Sequence, residues 1–261
     1  MAPLKKSAKA KAKDKPSTND PRLNPIHAWF AQRNWTPLPF QQQTWSAYLA
    51  GRNGLIQVPT GSGKTFAAVM GPIARMLAEE EPLKGIRLLY ITPLRALSRD
   101  LSLAIREPIE AMGWPIRVGI RNGDSSSSER TKQLKAPPQI LVTTPESLAL
   151  LLSNAKAEEL FGQLETVILD EWHELMGSKR GSQTELCLSW LRQLRPQLQT
   201  WAISATIGNL EQAARHALGT AGEPQLIGGA PARSTEIQSI LPDTIDGFPW
   251  AGHLGLRMYE E

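Results

Sequence analysis

The stretch Val58-Pro59-Thr60-Gly61-Ser62-Gly63-Lys64-Thr65 decides how this chain is read. An apolar run from Gly54 to Val58 leads into it, and a helical pattern from Phe66 to Leu77 follows. Strand, glycine-bearing loop, Gly-Lys-Thr and helix form the context a phosphate-binding loop requires. Gly61 and Gly63 let the backbone curl so that successive N–H groups point inward. The following helix offers its own unpaired N–H groups and partial positive charge to the same anion. Lys64 is expected to reach the β/γ-phosphates of a nucleoside triphosphate, and the Thr65 hydroxyl to ligate Mg²⁺. Thr60, Gly61, Ser62, Gly63, Lys64 and Thr65 are thus the expected nucleotide-binding residues. The generic pattern starts with Gly, where this chain has Val58. A plain Gly/Ser-rich turn is the bland reading, and the placement of Gly-Lys-Thr between strand and helix speaks against it.

Working outward, β and α patterns alternate. Strands are expected at 55–58, 86–91, 116–120, 139–143, 166–169 and 201–204. Helices are expected at 65–78, 94–112, to about 135, 146–152, 184–194 and 210–218. Two short helices precede them between Pro21 and Ala50, one with Ile26, Trp29 and Phe30 on a shared face, the other over 41–49. The strands are continuous apolar runs, the pattern of strands buried on both faces of a parallel sheet. The expected fold class is therefore α/β, a mostly parallel sheet with crossover helices on both faces.

Composition sets the surroundings. Residues 1–20 hold six lysines against Asp14 and Asp20, and the remainder has 23 basic and 23 acidic residues, so the net +4 belongs to the tail. That Lys/Ala/Pro/Ser-rich tail reads as disordered, and the body as 21–221. Residues 222–261 change character, with Pro, Gly and isolated apolar residues, and read as an exit segment or linker. Cys187 is alone, which excludes a disulfide framework and points to a reducing, cytoplasmic setting. No apolar stretch approaches a membrane span, and the lysine-rich N-terminus lacks the apolar core of a secretory signal. His27, His173, His216 and His253 show no metal-ligand spacing with Cys187, so no zinc site is expected.

In an open parallel sheet, ligands collect at the carboxyl ends of strands. The 166–169 strand ends in Asp170-Glu171-Trp172-His173. Asp170 is the expected Mg²⁺ holder opposite Thr65, and Glu171 is expected to orient or activate the attacking water. A helix-start acid cluster is the plain alternative; pairing with a phosphate loop favours the catalytic role. The 201–203 strand ends in Ser204-Ala205-Thr206, two hydroxyls able to hydrogen-bond the acid cluster, or an ordinary turn. Thr92-Pro93 and Thr144-Pro145 each stand before a helix, as caps or as contacts that would present hydroxyls, helix N–H groups and Arg95 to a phosphate backbone.

The ordered set Phe40-Gln41, PTGSGKT, TPLRAL, TPES, DEWH and SAT resembles superfamily 2 helicases of the DExH type. With Trp35–Trp45, Gly51–Thr65, Arg121–Arg130 and Pro249–Gly255, the chain most closely resembles the Lhr-like, ligase-associated DEXH-box DNA helicases of bacteria. The resemblance implies a RecA-like motor domain of an ATP-dependent DNA helicase or translocase, working in DNA repair near the nucleoid. The cofactors would be ATP and Mg²⁺. The partners would be single-stranded or tailed DNA, with RNA or a hybrid open, and by family resemblance a DNA ligase and a nuclease. By the same resemblance Gln41 reads adenine. Lys64, Thr65, Asp170 and Glu171 are the ATPase positions, with Lys64, Asp170 and Glu171 catalytic. Ser204, Thr206 and His173 couple hydrolysis to strand movement, and Arg95 and Thr144 contact the strand. Such helicases place ATP between two RecA-like domains, so residues 1–261 alone are expected to bind nucleotide but to hydrolyse and unwind poorly. A nucleic-acid module with a non-hydrolysing nucleotide site, and a P-loop ATPase that remodels protein, stay open as alternatives.

Overall fold

A computed structural model describes residues 20–205, 207–219 and 223–229. After a 3₁₀ turn at Pro21–Leu23, the order is α1 (Asn24–Gln32), α2 (Pro39–Leu49), β1 (Gly54–Gln57), α3 (Lys64–Leu77), β2 (Leu88–Ile91), α4 (Arg95–Met112), β3 (Val118–Arg121), α5 (Ser127–Lys135), β4 (Ile140–Thr143) and α6 (Pro145–Leu152). Then come α7 (Ala157–Phe161), β5 (Thr166–Leu169), α8 (Trp172–Leu175), α9 (Lys179–Leu194), β6 (Gln199–Ser204), α10 (Leu210–Leu218) and β7 (Gln225–Gly228).

The strands make one sheet in the order β3-β4-β2-β5-β6-β1-β7, parallel at every pairing. Period-two alternation splits each buried strand between two cores. Ile56, Leu88, Tyr90, Ile140, Val142, Ile168, Trp201 and Ile203 face one core, with α1 to α4. Leu55, Leu89, Ile91, Leu141, Val167, Leu169 and Ala202 face the other, with α6 to α10. This is why the strands read as unbroken apolar runs. The exposed α5 buries no residue in either layer.

Aromatic side chains fix the first layer. Trp29, Phe30, Trp35 and Phe66 meet edge to face or tilted. The indole N–H of Trp45 donates to the Phe66 carbonyl at 3.0 Å, tying α2 to α3. The two helices approach closely because Gly71 leaves no Cβ, which would stand 2.9 Å from the Tyr48 ring.

Several expectations change here. Asp20, read as tail, caps the first turn and pairs with Arg22. Gln225–Gly228, read as exit segment, pairs in register with β1 as the seventh strand. Its apolar signal is a short Leu226-Ile227 pair, too little to announce a strand from sequence. The short α7 and α8 lack a full helical repeat and were not expected, and α9 begins five residues early, capped by Ser178. Pro93 lies before the cap of α4, whereas Pro145 is its helix's first residue. Residues 1–19 and 230–261, with the readings made for them, lie outside the described residues. No helix among the described residues is long and apolar enough to cross a membrane.

Candidate active site

The loop after β1 turns through two left-handed glycines, Gly61 at φ 76° and Gly63 at φ 86°. Gly63 caps α3, so Lys64 and Thr65 are the helix's first two residues. Val58, where the generic loop has Gly, is buried in the first core, and its N–H donates to the Ser204 carbonyl at 3.2 Å. The departure is structural: Val58 extends the pairing with β6 before the loop begins.

Gln41 is buried against this loop. Its amide donates to the Gly63 carbonyl at 3.1 Å, and its carbonyl accepts the Leu38 N–H at 2.8 Å. Both ends of the side chain therefore brace the phosphate loop. A Cβ on Gly63 would stand 2.8 Å from the Gln41 nitrogen. Gly63 is thus required twice, by its φ and by its neighbour.

Strand β5 brings the acids to the same edge. Its neighbour β6 lies between β5 and β1, so Asp170, Ser204 and the phosphate loop stand at adjoining strand ends. Lys64 Nζ forms an ion pair with Glu171 Oε1. Glu171 is held in the left-handed region at φ 43°, uncommon for a residue with a side chain. Such strain clusters where function over-determines the backbone. Asp170 is buried, and its Oδ1 accepts the Glu171 N–H at 3.0 Å. Burial, then the neighbouring Glu171 charge, push the Asp170 carboxyl up to about 6, with Lys64 opposing.

His173 links the acids to β6. The Ser204 hydroxyl and His173 Nδ1 are 2.9 Å apart, and Glu171 Oε2 lies 3.6 Å from the same nitrogen. Thr206, the partner hydroxyl, lies outside the described residues. Trp172 points the other way. It is fully buried, and its indole N–H donates to the Ala213 carbonyl at 3.0 Å, anchoring the acid-bearing turn to α10.

Among the described residues no group of three or more His, Cys, Asp or Glu side chains converges on a metal site. One buried carboxylate and the Thr65 hydroxyl instead suit a cation that arrives with phosphate oxygens, as Mg²⁺ does. The buried Tyr90 hydroxyl, which makes no regular hydrogen bond, also borders Asp170 and Thr65. This donor set fits the cofactor.

Arg95 and Thr144 line a separate cleft of about 320 Å³ with Arg121, Asn122, Arg130 and Ser147, at the carboxyl ends of β3 and β4. Arg95 is exposed, 3.9 Å from Asp124. Thr144 is buried at the N-cap position of α6, where its hydroxyl engages Ser147 at 3.3 Å and makes no capping bond to a backbone N–H. Arg121 and Arg130 were missed in the sequence; two basic residues nine apart gain meaning only when strand and helix converge. A larger cleft of about 900 Å³ runs along the edge strand β3, away from Lys64.

A parallel sheet with a phosphate loop after one central strand and an acidic pair after another defines a RecA-like P-loop domain. The chain belongs to the DEAD/DEAH box helicase family, whose pattern it matches over residues 38–213. It is 39% identical over 230 residues to "Lhr helicase/ probable uracil glycosylase" of Mycolicibacterium smegmatis, covering 82% of this chain and 15% of that protein. It is 35% identical over 228 residues to "ATP-dependent helicase Lhr-Core" of Sulfolobus acidocaldarius, covering 83% of this chain and 26% of that one. Among solved structures it resembles Mycobacterium smegmatis helicase Lhr bound to single-stranded DNA and AMP-PNP, with a TM-score of 0.73, 37% identity, and 82% and 29% of the two chains covered. It also resembles the DUF1998 helicase MrfA bound to DNA, with a TM-score of 0.70, 27% identity, and 85% and 31% covered. The chain therefore spans under a third of these relatives' lengths.

Proposed function

We propose that this chain is the ATP-binding motor half of an ATP-dependent DNA helicase or translocase. The observation that carries the reading is the convergence of Lys64, Asp170, Glu171, His173 and Ser204 at adjoining strand ends. ATP enters along the loop Thr60–Thr65, and its phosphates compete with Glu171 for Lys64. Lys64 then stabilises charge on the β/γ-phosphates. Thr65 and Asp170 would hold Mg²⁺, which would supply charge neutralisation at the phosphates. Glu171, released from Lys64, accepts a proton from the attacking water. His173 senses that release through Glu171 and passes it to Ser204 and β6. Gln41 braces Gly63 and contacts adenine with its remaining hydrogen-bonding capacity.

The nucleic-acid strand crosses the carboxyl ends of β3 and β4, where Arg95 meets its phosphates and the α6 N-terminus below Thr144 supplies backbone N–H groups. Two relatives of solved structure are bound to DNA, Lhr to single-stranded DNA and MrfA to DNA. DNA repair, with a ligase and a nuclease as partners, is the setting implied by the sequence resemblance. Residues 1–261 taken alone hydrolyse and unwind poorly, because this reading needs a second RecA-like domain to supply an arginine in trans, worth about 10³–10⁵ in rate.

The test compares wild type with Lys64→Ala. ATP·Mg is expected to raise the melting temperature of the wild type and to bind the variant at least about tenfold more weakly, the loss of one charge-assisted contact. Equal stabilisation of both proteins by nucleotide would move the site elsewhere. ATP turnover measured with and without single-stranded DNA separates a motor from a non-hydrolysing binding module.

A further inference from the structure

Tyr90 is the one hydroxyl-bearing residue in β2, between Leu89 and Ile91. It is fully buried, and its ring packs in the first core beside Ile56 and Ile168. A phenylalanine would supply the same apolar ring, so the hydroxyl adds nothing to that packing. A buried hydroxyl without a partner is destabilising, and the Tyr90 hydroxyl meets no hydrogen-bond geometry among the described residues. Tyr48, on the same face of the sheet, is the contrast: its buried hydroxyl pairs with Thr166 at 2.6 Å.

The strand register says where the Tyr90 hydroxyl goes. Tyr90 stands opposite Ile168 in the parallel pairing of β2 with β5. Asp170 follows Ile168 by two residues, so alternation puts both on one face. The Asp170 N–H donates to the Ile91 carbonyl at 2.8 Å, which carries the pairing up to the acid. Two residues of strand rise about 6.6 Å, the reach of a tyrosine side chain. On that shared face the hydroxyl borders the Asp170 carboxylate, with Thr65 as its other polar neighbour. Asp170 Oδ1 already accepts the Glu171 N–H, which leaves its second oxygen free of that bond.

We propose that Tyr90 is a positioning residue for the metal-holding carboxylate: its hydroxyl donates to Asp170 and fixes which oxygen is turned toward nucleotide-borne Mg²⁺, with Thr65 across from it. This rests on the nucleotide site read above. Partners of metal-holding groups typically tune metal affinity by 10–100-fold. The effect belongs to the cation and not to the nucleotide, because the polar neighbours of the Tyr90 hydroxyl are Asp170 and Thr65, the two expected Mg²⁺ holders.

The experiment titrates Mn²⁺ by electron paramagnetic resonance into the full chain with ADP present, and measures metal-free ADP binding alongside. Tyr90→Phe is expected to weaken Mn²⁺ binding by about tenfold or more, with metal-free ADP affinity and melting temperature kept. Tyr48→Phe is expected to lower the melting temperature and leave Mn²⁺ affinity unchanged. Unaltered Mn²⁺ affinity in Tyr90→Phe overturns the proposal, as does a loss of stability or of metal-free ADP binding in that variant, which would make the hydroxyl structural. If Asp170→Asn keeps wild-type Mn²⁺ affinity, the site reading fails and the proposal with it. A large effect of Asp170→Asn beside none of Tyr90→Phe sinks the Tyr90 role alone.

Discussion

The two ends of the same sheet use polar residues in opposite ways. At the amino ends, charged and amide side chains are paired off as staples. Arg87, at the start of β2, bridges Glu79 and Glu165. Gln139 accepts the Arg117 N–H at 3.0 Å and donates to the Leu83 carbonyl at 3.1 Å. Gln199 donates to the Tyr48 and Arg52 carbonyls, and Asn53 accepts the Thr200 N–H at 2.8 Å. At the carboxyl ends, Asp170 is buried and raised toward neutrality, Glu171 is backbone-strained, and the Tyr90 hydroxyl lacks a regular partner. Both ends hold acids and bases at strand termini. The difference is that one end turns its charged and amide side chains onto partners within the chain, Arg87 Nε apart, and the other leaves capacity for a ligand. A ligand gains binding energy from groups the fold leaves unsatisfied or, as with Lys64, holds on a partner that the ligand can displace.

The sharpest break in that comparison is expected from Glu171→Gln. The substitution keeps the shape and removes the carboxylate that would take the proton. ATP turnover should fall by about 10²–10⁴-fold, the range for a general base, with nucleotide binding retained. Turnover at the wild-type rate would remove Glu171 from the chemistry.

At the other end the largest effect falls on stability and not on function. Arg87→Ala strands two partly buried carboxylates. A fully buried pair broken in this way costs about 3–5 kcal/mol; the partial exposure of the acids, 30% for Glu79 and 22% for Glu165, brings the expectation down to about 2 kcal/mol. Denaturant unfolding reads the loss, and ATP affinity should not move. A nucleotide defect in this variant would blur the division between the two ends.

The smallest predicted effect sits on the boundary between fold and site. Gly63→Ala forces a Cβ into the left-handed region and against the Gln41 amide. Melting should show a loss of about 1–2 kcal/mol from the backbone alone, and nucleotide affinity should fall as Gln41 is pushed off the loop. An unchanged affinity would mean that the Gln41 brace does not shape the phosphate loop.

Much of the architecture was legible before any coordinates. A strand buried on both faces must be apolar throughout, so β1, β2, β4, β5 and β6 announced themselves as runs, and helices between them forced parallel pairing. The phosphate loop was legible because its backbone needs glycines at fixed positions, which leave a mark in the sequence. The acids after β5 were legible because two charges ending an apolar run are costly unless they serve a purpose. Tertiary structure alone decided the rest. Strand order is set by packing across the sheet, so the sequence did not say that β6 stands between the loop and the acids, nor that β7 closes the edge. Thr144 is buried at the head of α6 with its hydroxyl on Ser147, and Gln41, expected at adenine, also braces Gly63. Tyr90 passed as one more apolar strand residue, because a tyrosine in a core strand is unremarkable until the register puts its hydroxyl beside Asp170. Residues close in sequence share a local pattern that composition can reveal; residues joined across strands share only a distance, and that distance exists only after the chain has folded.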